Sequence, residues 1–165
     1  MRTLPLVMTL TGFGFATTPL AAEARSGAGS VVMSAYRTPS CGCCKGWLDH
    51  IKKAGFSVQD HVVNNLTAIK QRYRVPAGLA SCHTARINGY VIEGHVPVSA
   101  IEKLLKERPK VAGIAVPGMP LGSPGMESSL RSETYTVFTF TNSGVIKPFQ
   151  TNQGLMTPFS PETGQ

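Results

Sequence analysis

The strongest constraint on the fold of this chain lies between Val31 and Gly55, where a strand pattern runs into a cysteine cluster and then into a helix. Val31-Val32-Met33-Ser34-Ala35-Tyr36 is a short apolar run of buried-strand character, and the turn residues Arg37-Thr38-Pro39-Ser40 stop it. From Cys43 to Ala54 the apolar residues Trp47, Leu48, Ile51 and Ala54 recur at three and four positions, the period of a helix with one buried face, and Gly55 stands where a C-cap belongs. Cys41-Gly42-Cys43-Cys44 therefore opens a helix directly after a strand. Sulfurs at 41 and 44 fall within one helical turn, beside backbone N–H groups that favour thiolate.

The elements that follow limit how this unit is closed. Phe56 to Val62 alternates as a half-buried strand, and Asn64 or Asn65 can cap a helix from about Leu66 to Tyr73. Ala85-Arg86-Ile87 and Tyr90-Val91-Ile92 flank Asn88-Gly89, a hairpin turn whose two central residues both want positive φ. Pro97 and Ser99 start a helix that runs through Leu104, Leu105 and Glu107 and stops before Pro109. The order βαβ, α, ββ, α calls for a parallel crossover followed by an antiparallel hairpin, in a mixed sheet flanked by helices. This is the thioredoxin-like arrangement, and α/β is the expected class. Lys110 to Glu127 reads as a long Gly/Pro/Met-rich loop. Tyr135–Phe140 and Val145–Phe149, around Asn142-Ser143-Gly144, read as a C-terminal β-hairpin, with a frayed tail from about Thr151.

A chain of 165 residues suits one globular domain, placed at 31–150 with a flexible tail over 151–165. Ahead of it, Arg2, the apolar stretch Leu4 to Ala16 and the small-x-small Ala22-Glu23-Ala24 read as a secretory leader over residues 1–24, followed by a linker over 25–30. Thr, Gly and Pro interrupt the apolar stretch, which is short of the roughly 20 residues a membrane span needs. Cleavage after Ala24, no stable membrane insertion and export to an oxidising compartment, naturally a bacterial periplasm, are the expectations. The net charge of +7 survives loss of the leader, which carries one charge of each sign. The basic residues are scattered singly rather than gathered into a tract, which argues against nucleic acid as a partner. Nearby cations instead offset the charge of clustered thiolates.

Cys43 distinguishes the cluster from a plain redox pair, because three thiols on one helix start suit a thiophilic metal better than a single disulfide. Four cysteines in a secreted chain can also form ordinary disulfides, although vicinal Cys43 and Cys44 pair poorly and a helix start is awkward geometry for two bridges. The fourth, Cys82, lies in Ser81-Cys82-His83-Thr84, which resembles the glutaredoxin segment where the cis-proline loop enters the strand pair. His83 falls at the proline position and Cys82 just before it. That resemblance puts Cys82 against the Cys-x-x-Cys, and the loss of the cis-proline removes a feature by which ordinary oxidoreductases keep metals out, next to a thiol that favours metal. His83 is a candidate imidazole ligand or a hydrogen-bonding neighbour of one. His50, His61 and His95 read as surface or loop residues, and Trp47 and Tyr36 as packing around the helix start. Met119 and Met126, in a loop of turn-forming residues, either pack that loop down or offer thioether sulfur, a soft ligand suited to Cu(I) and poor for zinc.

Cys41-Gly42-Cys43-Cys44-Lys45-Gly46-Trp47, Ser81-Cys82-His83-Thr84, Gly94-His95-Val96-Pro97 and the stretch Gly118 to Met126 together resemble the CopG-type family, long catalogued as a domain of unknown function. The likeness covers about Val31 to Phe149. It implies a periplasmic, thioredoxin-like, copper-binding protein associated with copper resistance. Cys41, Cys43, Cys44 and Cys82 are then thiolate ligands, Met119 and Met126 thioether partners, and several copper ions can share one cluster.

Two functions follow. The first is binding of Cu(I), for sequestration or delivery to a periplasmic transfer partner. The second is a thiol–disulfide or copper oxidoreductase in which Cys41 attacks and Cys44 resolves. A structural zinc site has enough cysteines but leaves the methionine loop unexplained.

Overall fold

The computed structural model describes residues 32–156. The leader and linker expected over 1–30, and the tail beyond 156, lie outside the described residues. Strand β1 (Val32–Arg37) leads into helix α1 (Gly42–Lys53), strand β2 (Ser57–Val62), helix α2 (Leu66–Arg72) and a single 3₁₀ turn at Ala77–Leu79. Strands β3 (His83–Ile87) and β4 (Tyr90–Glu93), helix α3 (Val98–Glu107) and strands β5 (Gly113–Ala115), β6 (Thr134–Phe140) and β7 (Ile146–Gln153) complete the order. All seven strands form one mixed sheet, β2-β1-β3-β4-β5-β6-β7, parallel at β1–β2 and β4–β5 and antiparallel elsewhere. The α/β class and the hairpin expectations hold. Asn65 caps α2 through the Ala68 N–H, and Asn88 and Gly89 both take positive φ in the β3–β4 turn.

Helices α1 and α3 cover one face of the sheet. Trp47, Leu48 and Ile51 of α1 and Ala100, Ile101 and Leu104 of α3 meet Met33, Ala35, Ala85, Ile87, Ile92, Ile114 and Val137 in the main core. The other face carries a smaller cluster of Leu79, Val91, Ala115 and Phe140, with Tyr73 and Val75 from the end of α2 and the chain after it. Among the described residues no helix is long and apolar enough to cross a membrane.

The structure corrects three boundaries and one placement. Arg37 belongs to β1 rather than to the turn, and its guanidinium holds Asp60 on β2 at 2.8 Å. The stretch expected to be all loop from Lys110 contains β5, three buried residues too short to show a period. Gly113 is required there, since a Cβ would stand 2.8 Å from the Val91 carbonyl carbon. Strand β7 continues through Thr151 to Gln153, and Met156 bridges to Ser128, so strand pairing extends past Thr151, where fraying was expected to begin. Tyr36 faces away from α1, stacking on His61 and sharing a hydroxyl hydrogen bond with Tyr73.

Candidate metal centre

Turn residues 38–40 end β1, and Cys41 is the N-cap of α1 in extended backbone geometry (φ −80°, ψ 92°). The helix start fans out the three sulfurs. Cys44 turns into the core and is buried, whereas Cys43 faces outward and is half-buried. Cys41 and Cys44 are joined by a disulfide, and Cys43 and Cys82 are free thiols. Cys43 Sγ lies 3.5 Å from Cys41 Sγ, 3.8 Å from Cys82 Sγ and 4.0 Å from Met119 Sδ. Cys44 Sγ lies 3.6 Å from the Cys82 carbonyl oxygen. All four cysteine sulfurs fall within 4.8 Å of one another.

Cys82 is held in register by a buried ionic peg. Glu93, fully buried on β4, accepts the Ser81 N–H at 2.7 Å, the Thr84 hydroxyl at 2.7 Å and the Lys70 ammonium at 2.5 Å. Its carboxylate thus fixes the residues on both sides of Cys82-His83. Burial lifts the Glu93 carboxyl above its ordinary range, against the opposing pull of Lys70. Nothing in local composition marks this peg except a charged residue ending the apolar run Tyr90-Val91-Ile92.

Behind Cys82 stand two buried histidines. His95 Nε2 lies 2.9 Å from Cys82 Sγ, and His95 Nδ1 lies 2.8 Å from the Pro124 carbonyl. A carbonyl only accepts, so the proton sits on Nδ1 and Nε2 presents its lone pair to Cys82, whose thiol donates to it. His83 Nδ1 lies 3.3 Å from Cys82 Sγ, its Nε2 is buried without a partner among the described residues, and its ring lies against Trp47 with centroids 4.3 Å apart. Desolvation drives both imidazoles toward the neutral form, His83 well below its ordinary value, and burial with Cys43 nearby pushes the Cys82 thiol up to about 12. Neutral imidazole is the ligating form, and a metal ion at Cys82 would displace the thiol proton. Cys82 Sγ and a nitrogen from each histidine also lie within 4.8 Å of one another, so Cys82 is the shared corner of a sulfur group and a nitrogen group.

The loop over residues 117–127 is the lid of this corner. Gly125 takes φ +83° and lies against Gly46 of α1 so closely that a Cβ on Gly46 would be 3.0 Å from the Gly125 Cα. This contact delivers the Pro124 carbonyl to His95. Ser81 Oγ donates to the Gly118 carbonyl, which ties the Cys82 segment to the residue before Met119. Below the loop, His50 pairs with Glu127 at 2.6 Å.

The family described as a protein of unknown function, DUF411, matches residues 79–126. No curated protein matches the chain. Two solved structures of copper resistance protein CopG do. Form 2 is 44% identical over 75% of this chain and 99% of its own, with TM-score 0.72, and form 1 is 44% identical over 76% and 100%, also with TM-score 0.72. This chain belongs to the CopG family.

Within this CopG-family chain, the structure brings together Cys41, Cys43, Cys44, Cys82 and His83 and places Met119 at their rim, with its side chain half exposed. Met126 shares the loop, its carbonyl accepting the Gly122 N–H, and its thioether makes no hydrogen-bond contact with a cysteine among the described residues. His95 is the residue sequence reasoning missed. It reads as a loop histidine, yet it is fully buried against Cys82. The signal was its place in Gly94-His95-Val96-Pro97, where Gly94 has φ +73° and Trp47 Nε1–H donates to the Val96 carbonyl at 2.8 Å.

Proposed function

We propose that this protein binds Cu(I) in the bacterial periplasm, as part of copper resistance, through the sulfurs of Cys41, Cys43, Cys44 and Cys82. Met119 is a rim thioether, Met126 a second available from the same loop, and His83 and His95 are imidazole donors behind Cys82. The observation that carries this reading is the gathering of four cysteine sulfurs, with two neutral imidazoles meeting them at Cys82, a donor set soft enough to favour copper over hard cations. The copper resistance proteins that share 44% identity with the chain support it. Several sulfurs so close together can bridge more than one ion. Export by the leader over residues 1–24 puts the site where excess copper is met, and a periplasmic partner receives the ion.

The test is a Cu(I) titration of the reduced protein against a competing chelator, with metal counted per chain. Tight binding that weakens in Cys82→Ser is the expected result. Unchanged affinity and stoichiometry across serine variants of all four cysteines would refute the proposal.

A second reading, thiol–disulfide or copper oxidoreductase, is favoured by the Cys41–Cys44 disulfide with a free Cys43 sulfur 3.5 Å from Cys41. Two electrons and two protons taken from a dithiol donor convert that bond to two thiols, and the donor becomes a disulfide. Reduction then completes the four-thiol site, and reoxidation dismantles it. Failure of the oxidised protein to exchange with a dithiol at any copper loading would leave binding alone.

A further inference from the structure

The sheet face opposite α1 and α3 carries a basic cavity that the metal centre does not use. Arg72 at the end of α2, Tyr73 and Arg74 just after it, Arg86 on β3 and Asn142 in the β6–β7 turn line an open hollow of about 240 Å³. Among the described residues none of these three guanidinium groups is in an ion pair, although Arg37 and Lys70 are. Three like charges gathered without a counter-charge repel one another, and an anion placed between them relieves that repulsion.

Arg86 is fixed in advance. Its guanidinium lies over the Tyr73 ring, 5.0 Å from the centroid, and Nη2 donates to the Gly89 carbonyl at 3.1 Å. Its Nε is buried and has no hydrogen-bond partner among the described residues. Arg72 lies 5.8 Å from the centroid of the same ring, and Arg74 follows in the left-handed region (φ 54°). A planar fork held by an aromatic ring, flanked by two exposed cations, is the arrangement that recognises an oxyanion.

We propose that this cavity is an oxyanion-binding site, taking the phosphate or carboxylate group of a small anion, with Arg86 as the oriented fork and Arg72 and Arg74 as charge partners. The site stands apart from the metal centre: Arg86 points to the α2 face, while its strand neighbours Ala85 and Ile87 belong to the core under α1 and α3.

The test is ¹⁵N NMR of the copper-free protein, following the Arg86 Nε–H and Asn142 resonances. Sodium phosphate is titrated in one arm and sodium acetate in the other, with sodium chloride holding ionic strength constant. Saturable shifts in either arm are expected, and the arm that saturates at lower concentration names the anion. Affinity should fall about tenfold or more in the exposed double variant Arg72→Gln/Arg74→Gln and in Arg86→Lys, which keeps the charge and loses the fork. Shifts that sodium chloride alone reproduces, absence of saturation in both arms, or affinity unchanged in both variants would overturn the proposal.

Discussion

Replacing Gly125 with alanine asks whether the loop over residues 117–127 is locked to the helix start or merely lies across it. Gly125 has φ +83°, where an L-residue costs about 1–2 kcal/mol through its own Cβ. The added Cβ would also stand 2.5 Å from the Cys43 carbonyl oxygen, 2.5 Å from the Trp47 nitrogen and 3.1 Å from the Gly46 carbonyl carbon. These are backbone atoms of α1 and cannot rotate aside, so the loop must retreat. Retreat draws the Pro124 carbonyl away from His95 Nδ1, now 2.8 Å apart, and a buried donor left unpaired costs about 1–3 kcal/mol. The total loss is about 2–5 kcal/mol, which lowers Tm on the order of 10 °C in a domain of this length. Gly42→Ala is the matched control, because nothing among the described residues lies within 4 Å of a Cβ there and the change is expected to be neutral or to stabilise by up to about 1 kcal/mol. Urea and thermal unfolding of both variants, copper-free and with the disulfide intact, give the difference, and side-chain ¹⁵N shifts report the His95 tautomer. If Gly125→Ala melts with Gly42→Ala and His95 keeps its Nδ1 proton, the loop is not the lock described.

His95→Gln should lower Cu(I) affinity about 10–100-fold in chelator competition; an unchanged value would mean that sulfur alone holds the ion. Lys70→Met leaves the Glu93 carboxylate buried and unpaired, and about 3–5 kcal/mol of stability should be lost in urea unfolding, with much of it recovered in Lys70→Met/Glu93→Gln. In the copper-free protein, burial holds both His83 and His95 below their ordinary pKa, so the unfolded chain takes up protons first as pH falls through about 6.5. The stability their neutral burial contributes is fully present above that pH and is lost below it, at up to about 1.4 kcal/mol per pH unit for each histidine. Glu93, lifted by burial, works in the opposite sense, and comparison with His95→Gln cancels it: between pH 7.5 and 5.5 the parent should lose more stability than the variant. Equal losses would show that His95 titrates normally.

The fold was legible wherever one residue pattern had one physical outcome. Trp47, Leu48 and Ile51 at helical spacing could bury only one face, and Asn88-Gly89 could make only a tight turn. Strand β5 was not legible because three buried residues show no period and gain their strand geometry from β4 and β6 on either side. Tyr36 faces α2 because side chains alternate along β1, and the core claims Ala35 and Met33 on the other side. The cysteines were legible as a cluster because three of them share a helix start. His95 was hidden because its burial depends on the Gly46–Gly125 contact, which joins residues 79 positions apart.

Cys82 matters beyond its sulfur because it alone belongs to both donor groups. With Cys41 and Cys44 bonded to each other, the donors left free are Cys43, Cys82, Met119 and the two imidazoles, a mixed sulfur and nitrogen set. With that bond reduced, two more thiolates join, and the set becomes sulfur-rich. Softer sulfur sets favour Cu(I), whereas imidazole also suits Cu(II). On the copper reading, reducing the disulfide is therefore expected to shift which copper state the corner prefers, while the Glu93 peg beside Cys82, which contains no cysteine, is left intact.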